Sequence, residues 1–192
     1  IANALEVTPG TVTVMMRQLS SRGLIDYTPR KAVKLLPDGE VAALKVIRRH
    51  RLIELFLAQA MQLDWSEVHE EAEILEHVVS DRLLERSDAM LGEPTHDPHG
   101  DPIPDRLGRM PVSVEQPLAE VEGGEYRVVR VSDADADLLG WLEEKGLTIG
   151  EEFRLSHPDR AAGLLELAKR EGEVVQLGTE AAGQVFVEVL TV

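Results

Sequence analysis

The chain has 192 residues, a formal net charge of −15 at pH 7 and no cysteine. The lack of cysteine excludes disulfides, thiolate zinc sites and cysteine nucleophiles. No apolar run approaches the roughly 18 residues that a membrane-spanning helix needs, so we expect no contact with a membrane and a cytoplasmic location.

The charge is distributed unevenly along the chain. Residues 1–62 contain nine Lys/Arg and five Asp/Glu, a balance of +4, whereas residues 63–192 contain eleven and thirty, a balance of −19. DNA affinity depends on the local face that meets phosphate and not on the total charge. The acidic total therefore does not exclude a DNA-binding first third.

The first 41 residues predict a winged helix-turn-helix. Residues 1–5 (IANAL) have the pattern of a helix end, so we expect the natural protein to have residues before Ile1. Thr8 and Pro9 suit the cap and first turn of a second helix, and Gly23 suits its end. The runs LIDYT and AVKLL around PRK predict a hairpin, the wing.

The second helix of such a motif enters the major groove of DNA. Its first turn offers hydroxyl groups and small apolar surface to base edges, and basic residues follow that suit phosphates. The alternative is that Thr8 only caps the helix and that the basic residues are only solvated. The candidates are Thr8, Pro9, Thr11 and Thr13 for bases and Arg17, Arg22, Arg30 and Lys31 for phosphates.

Two long helices are predicted next. The sequence PDGE at 37–40 opens a helix to about residue 62, and a third helix starts near Asp64, with Glu67 as capping partner, and runs to about Leu91. The Pro- and Gly-rich segment GEPTHDPHGDPIPD then predicts a loop or a domain boundary.

The third helix carries four candidate metal ligands at regular spacing. They are His69, Glu73, Glu76 and His77, at offsets of 0, 4, 7 and 8 residues from the first. At 100° per residue these side chains fall within an arc of about 100° that borders the apolar face, where a carboxylate is half desolvated and needs a partner. A divalent cation would supply one, although a solvated Glu-rich helix with two stray histidines is the alternative. If the helices pack, we expect one cluster of His50, Glu54 and His69 and another of Glu73, Glu76 and His77.

Motifs of known enzymes are missing from this region. The Glu-x-x-His pairs of a di-iron bundle are not present, because the residues three positions before His77 and His69 are Ile74 and Ser66. HExxH, a nucleophile elbow and a P-loop are also missing. The sequence therefore favours a protein that is not an enzyme.

Short strand-like runs dominate after residue 112. EYRVVRVS, EEFRLS, EVVQLG and QVFVEVL are separated by turns and by one helix, DADLLGWLEEKG, which predicts a small β-barrel. The fold class is then α+β. It comprises a winged helix-turn-helix at 1–41, a helical domain with the two ligand clusters at 42–111, and a small β-barrel at 112–192.

Four segments resemble the diphtheria-toxin-repressor family of metal-dependent transcriptional regulators. They are His-Arg-Leu-x-Glu at 50–54, His-Glu-Glu-Ala-Glu at 69–73, Glu-His at 76–77 and Pro-His-Gly-x-Pro-Ile-Pro at 98–104. The resemblance covers nearly the whole chain, and it implies that residues 42–111 form a helical metal-binding and dimerisation domain and that residues 112–192 form an SH3-like barrel. It implies a homodimer that binds a double-stranded DNA operator, and two metal sites per subunit.

The resemblance also implies the ligands. The ancillary site would use His50, Glu54 and His69 with a barrel residue, Asp133 or Asp135, either of which could instead cap a helix. The primary site would use Glu73, Glu76 and His77 with residues before Ile1. Asp97 stands where some relatives place a metal-binding cysteine, although a turn-forming role before Pro98 is the alternative.

Glu73 indicates the metal. Iron-responsive members have a cysteine at this position, so the chain resembles the manganese-responsive branch, and Mn²⁺ prefers oxygen ligands. We therefore expect a Mn²⁺-activated repressor of metal-uptake genes, with an Fe²⁺-dependent regulator as the alternative and a metalloenzyme or metal buffer as a more remote one. Leu83, Leu84 and Leu91 suit either a dimer surface or the core of one subunit.

Overall fold

The computed structural model describes residues 1–156, 163–170 and 172–190. The helices are α1 Pro9–Ser21, α2 Pro37–Ala60, α3 Trp65–Leu75, α4 Asp81–Met90, α5 Ala136–Glu144 and α6 Thr179–Ala182. The strands are β1 Ile25–Asp26, β2 Lys34–Leu35, β3 Gln116–Pro117, β4 Gly124–Val131, β5 Glu152–Leu155, β6 Leu164–Lys169, β7 Val174–Gly178 and β8 Val185–Val189. No helix in these ranges is both long and apolar enough to cross a bilayer.

The predicted winged helix is present. The Thr8 hydroxyl accepts a hydrogen bond from the Thr11 N–H at 3.1 Å and caps α1, and Gly23 ends the helix region with a φ of 72°. Strands β1 and β2 pair as the antiparallel wing. The wing lies tightly against the start of α2, because a Cβ added to Gly39 would lie 1.9 Å from the Leu24 carbonyl oxygen.

Helices α2 and α3 pack through a small apolar core. Ile53 and Leu57 of α2 meet Val68 and Ala72 of α3, and all four are buried. Leu84 packs against this core from α4 and Leu91 follows α4 in a second apolar cluster, whereas Leu83 is exposed. Of the three leucines considered for a dimer surface, the structure thus places two against the core of one subunit.

The single helix predicted from Asp64 to Leu91 is wrong, because the chain forms two helices with a turn between them. The N–H groups of Val78 and Val79 both donate to the Leu75 carbonyl, at 3.0 and 2.9 Å, which closes α3 in a tight turn. Ser80 then caps α4, with its hydroxyl accepting from the Leu83 N–H at 3.3 Å. Serine is among the preferred N-caps, and here this local preference ends the helix that periodicity alone continued.

The predicted SH3-like barrel domain is a six-stranded antiparallel sheet in the order β3-β8-β4-β5-β6-β7. Val128, Phe153, Leu167 and Val187 fill its core with Leu139 of α5. In the described ranges its edge strands β3 and β7 are not paired with each other. Strand β6 was missed because its sequence, LLELAK, consists of good helix formers.

The helical domain and the sheet are in direct contact. Helix α3 packs against α5, and Trp65 at the start of α3 packs against the core of the sheet. The loop at 92–105 also reaches the sheet, because the Val131 N–H donates to the His99 carbonyl at 2.8 Å. These contacts bring side chains from α2, α3, the loop and the β4–α5 connection to one place.

Candidate metal centre

The first predicted ligand cluster is assembled in the structure. Glu54 is 1% exposed, and its Oε1 lies 3.0 Å from His50 Nε2 and 3.1 Å from His69 Nδ1. The two histidine nitrogens lie 3.3 Å apart. The packing of α2 on α3 thus brings a carboxylate and two imidazoles together, as the sequence predicts.

A second group also contains Glu54, and of its members His99 was not predicted. Ligand atoms of Glu54, His99 and Asp133 lie within 4.8 Å of one another. His99 is completely buried, and its Nε2 lies 3.3 Å from the Trp65 carbonyl oxygen. Because a carbonyl only accepts, Nε2 is the donor of this contact, and a backbone carbonyl of this kind commonly orients a metal-binding histidine.

Buried acceptor atoms show that a cation suits this place. Glu54 Oε2 and His99 Nδ1 are both buried, and neither has a hydrogen-bond partner among the described residues. Buried polar groups are nearly always satisfied, and a carboxylate oxygen and an unprotonated imidazole nitrogen can both accept a cation. Carboxylate and imidazole ligands suit Mn²⁺, Fe²⁺ and Zn²⁺, so the residues present fit a divalent transition metal.

His50 connects this centre to Glu76. Its Nδ1 lies 2.9 Å from Glu76 Oε2, while its Nε2 faces Glu54. Burial alone would lower the pKa of His50, but the hydrogen bonds and charges of Glu54 and Glu76 outweigh burial and raise this pKa to about 9. The metal-free ring is therefore protonated at neutral pH, and coordination through Nε2 requires the loss of that proton.

The second predicted cluster is not assembled within the part of the chain that the structure describes. Glu73 and His77 have side chains that are 66% and 77% exposed, and Glu76 turns toward His50. His69 and Glu73 lie on α3, Glu76 is its C-cap and His77 follows it, so the helix spans only part of the predicted four-residue arc. The role of Glu73, Glu76 and His77 as ligands stays a prediction.

The three candidate aspartates have different surroundings. Asp133 Oδ2 lies 3.7 Å from His69 Nδ1, beside the centre. The Asp135 carboxylate caps α5 by accepting from the Leu138 N–H at 3.0 Å, which is the alternative considered for it. Asp97 lies outside both groups, and its Oδ1 accepts from the N–H groups of His99 and Asp101, each at 2.9 Å, as a turn-forming aspartate does.

Asp97 has a pKa that makes stability depend on pH. Burial, followed by the negative charges of Glu54 and Asp101, raises the pKa of Asp97 from its ordinary value of 3.8 to about 8. The folded chain therefore holds a proton that the unfolded chain loses near pH 4, so this contribution to stability is full below pH 4 and disappears as pH rises toward 8.

We expect Asp97→Asn to stabilise the metal-free protein at pH 8 by on the order of a few kcal/mol and to have little effect at pH 4. The amide oxygen still accepts from both backbone N–H groups, and the ionisation penalty is gone. Urea unfolding in the presence of a chelator across this pH range measures the difference. A gain in stability that is largest at acid pH would contradict this account.

The predicted DNA-binding face is exposed. Pro9 is the first residue of α1, the Thr13 hydroxyl donates to the Pro9 carbonyl at 2.9 Å, and Thr8 and Thr11 share a hydrogen bond of 2.9 Å between their hydroxyls. The four basic candidates are exposed and make no ion pair within residues 1–156, 163–170 and 172–190. They are Arg17, Arg22, Arg30 and Lys31.

Comparison with known proteins decides the family. Residues 36–105 match the iron-dependent repressor metal-binding and dimerisation domain, and residues 116–189 match the FeoA domain. The diphtheria toxin repressor of Corynebacterium efficiens is 30% identical over 166 residues, which cover 79% of this chain and 71% of that protein. The chain belongs to the diphtheria toxin repressor family. The family, the α+β fold class and the prediction of a metal-dependent transcriptional regulator that is not an enzyme are thereby confirmed.

Other members of the diphtheria toxin repressor family differ in the metal that their names state. A solved manganese-dependent transcriptional repressor in complex with manganese is 40% identical and superimposes with a TM-score of 0.93, covering 98% of this chain and 88% of that one. The iron-dependent repressor IdeR of Mycobacterium leprae is 36% identical over 107 residues, 56% of this chain and 46% of that protein. Family membership therefore leaves the metal to be argued from this chain's own residues.

Proposed function

We propose that this protein is a Mn²⁺-activated repressor that binds a pseudo-palindromic operator as a homodimer in the cytoplasm and controls metal-uptake genes. The observation that carries the proposal is the buried Glu54 carboxylate, which belongs to two ligand groups and has one oxygen without a hydrogen-bond partner in the described ranges. A regulator with two-fold symmetry suits an operator with the same symmetry.

The ligand chemistry supports manganese. The two groups around Glu54 offer only oxygen and nitrogen atoms, and the chain contains no thiolate. Glu73 adds a carboxylate where iron-responsive members of the family have a cysteine. Because Mn²⁺ binds most weakly in the divalent series, its selection depends on hard ligands and geometry. Fe²⁺ is the second candidate, supported by the iron-dependent relative.

The residues around Glu54 come from four different parts of the chain. Glu54 lies on α2, His69 on α3, His99 in the loop before the sheet and Asp133 in the connection after β4. When bound, a divalent cation supplies the positive charge that these acceptors lack. The side chains would then hold α2, α3 and the sheet in one arrangement.

The wing is connected to the same helix. The N-terminal end of α2 lies against the wing at Gly39, and the Leu36 N–H donates to the Leu24 carbonyl at 2.9 Å. A change in the position of α2 would therefore be passed to α1 in each subunit. Activation requires only that the cation bind one arrangement of the dimer better than the other.

The function is tested by selecting DNA fragments from the source genome with the full-length protein. We expect Mn²⁺ to enrich fragments that share a two-fold symmetric sequence upstream of metal-transport genes, and a chelator to abolish the enrichment. Equal enrichment with the chelator, or none in either condition, would contradict the proposal and favour a metal buffer.

The role of Glu73 in metal choice is tested by Glu73→Cys. We expect the affinity for Fe²⁺ and Zn²⁺ relative to Mn²⁺ to increase about tenfold or more, because a thiolate favours softer ions than a carboxylate does. Competition titrations under anaerobic conditions give this ratio, with Glu71→Cys, an exposed position on the same helix, as the control. An unchanged ratio would remove Glu73 as the discriminating residue.

A further inference from the structure

The turn between α3 and α4 is held at both ends by two adjacent residues of α2. Before the turn, His50 Nδ1 contacts Glu76 Oε2 at 2.9 Å. After the turn, the Arg49 guanidinium donates through Nη1 to the Val79 carbonyl at 2.5 Å and through Nη2 to Asp81. His77 lies between these two anchors.

The Arg49 contact with the Val79 carbonyl is the stronger geometric constraint. This carbonyl lies where the helix has ended, so no following helical N–H is paired with it among the described residues, and a charged donor satisfies it in a part-buried position. The Asp81 side chain is 85% exposed, and an exposed ion pair contributes little. Arg49 thus fixes the backbone of the turn more than it neutralises a charge.

His77 depends on that backbone for its position. Its side chain is 77% exposed, and its one polar neighbour in the described ranges is Glu76, at 3.8 Å. A side chain this exposed has little packing to hold it among the described residues, so the direction of the imidazole follows from the course of the chain from Glu76 to Asp81. Arg49 and His50 of α2 fix that course through their contacts with Val79 and Glu76.

We propose that Arg49 is a positioning residue for the metal site that uses Glu76 and His77. This inference rests on the proposed function and on the predicted role of Glu76 and His77 as ligands. Arg49 makes no hydrogen bond to the other metal centre: its described partners are Val79 and Asp81, whereas Glu54, His69 and His99 are held by the packed core of α2 and α3 and by the Trp65 carbonyl. Loss of Arg49 should therefore weaken one site and spare the other.

The test uses the full-length protein with Mn²⁺ alone, titrated by calorimetry and by the electron paramagnetic resonance of free Mn²⁺. We expect two classes of Mn²⁺ binding, one for each site. The class lost in His77→Ala is assigned to the site of Glu76 and His77, and the class lost in Asp133→Asn to the centre around Glu54. In Arg49→Gln we expect the class lost in His77→Ala to weaken by about 10- to 100-fold, as for other residues that orient ligands, and the class lost in Asp133→Asn to keep its affinity. Arg82→Gln, an exposed charge change one residue after Asp81, is the control and should change neither.

Arg49→Lys keeps the positive charge and the fold but replaces a two-pronged donor with a single ammonium. We expect it to weaken the same class by less than Arg49→Gln does. Equal weakening of both classes, or of neither, in both variants would overturn the inference. The wild-type protein could bind its DNA equally with and without Mn²⁺ while the Arg49 variants still weaken one class of Mn²⁺ binding and not the other. In that case the proposed function fails and the positioning role stands.

Discussion

Replacing Glu54 with glutamine should abolish metal binding at the buried centre and with it metal-dependent DNA binding. Glu54 belongs to both ligand groups, and its buried Oε2 has no partner among the described residues. Burial alone would raise the pKa of Glu54, but hydrogen bonding and charge from His50, followed by His99 and His69, outweigh burial and lower this pKa. The carboxylate is thus ionised and ready to bind a cation.

Glutamine has nearly the same shape but supplies one neutral oxygen and an N–H₂ donor in place of a charged pair of acceptors. Because outer residues of metal sites already contribute about 10- to 100-fold in affinity, loss of a direct ligand, which is the role proposed for Glu54, should weaken Mn²⁺ binding at the centre by more than about 100-fold. Isothermal titration measures this. Glu71→Gln removes an exposed carboxylate from the neighbouring helix and should have no effect. Retention of tight binding in Glu54→Gln would show that the centre lies elsewhere.

Gly100→Ala should destabilise the fold by about 3 kcal/mol and separate His99 from Asp133. Gly100 has a φ of 86°, and an added Cβ would lie 2.0 Å from the Val129 carbonyl oxygen and 2.8 Å from the Arg130 Cα. Both contacts are with backbone of β4, so no side chain can rotate away. The loop must move from the sheet, and His99 moves with it.

Gly92→Ala separates the cost of a positive φ from the cost of the close contact with the β4 backbone. Gly92 also has a positive φ, 79°, but apart from its two chain neighbours no atom of the described residues lies within 4 Å of an added Cβ. Backbone strain alone should cost about 1 kcal/mol there. Urea unfolding of both variants in a chelator, followed by Mn²⁺ titration, tests the prediction. Equal losses of stability, or normal metal binding in Gly100→Ala, would contradict the close contact between loop and sheet.

The parts that sequence predicted were those fixed by local periodicity and capping. The spacing of His50 and Glu54 on one helix and of His69 on the next follows from 3.6 residues per turn, and the apolar stripes beside them dictate that the helices pack. The cluster of these three side chains is therefore readable from sequence. The caps at Thr8 and Asp64 likewise depend on residues a few positions apart.

The parts that sequence missed depend on longer-range contacts or on competing local preferences. The helical pattern continues through residues 76–80, yet the cap at Ser80 and the Arg49 contact with Val79 favour a turn. His99 lies in a loop without periodicity, and its place is set by Trp65 and Val131, 34 and 32 residues away along the chain. Its one signal was the resemblance of residues 98–104 to the family.

The central claim is that metal held by these residues controls DNA binding. The most direct measurement is fluorescence anisotropy of the DNA recovered by selection, titrated with full-length protein in Mn²⁺ and in a chelator at one fixed salt concentration, since salt alone alters DNA affinity. The account predicts that Mn²⁺ tightens binding by about 10- to 100-fold, as allosteric coupling commonly does, and that Glu54→Gln removes the difference. Equal affinity of the wild-type protein with Mn²⁺ and with the chelator would contradict it.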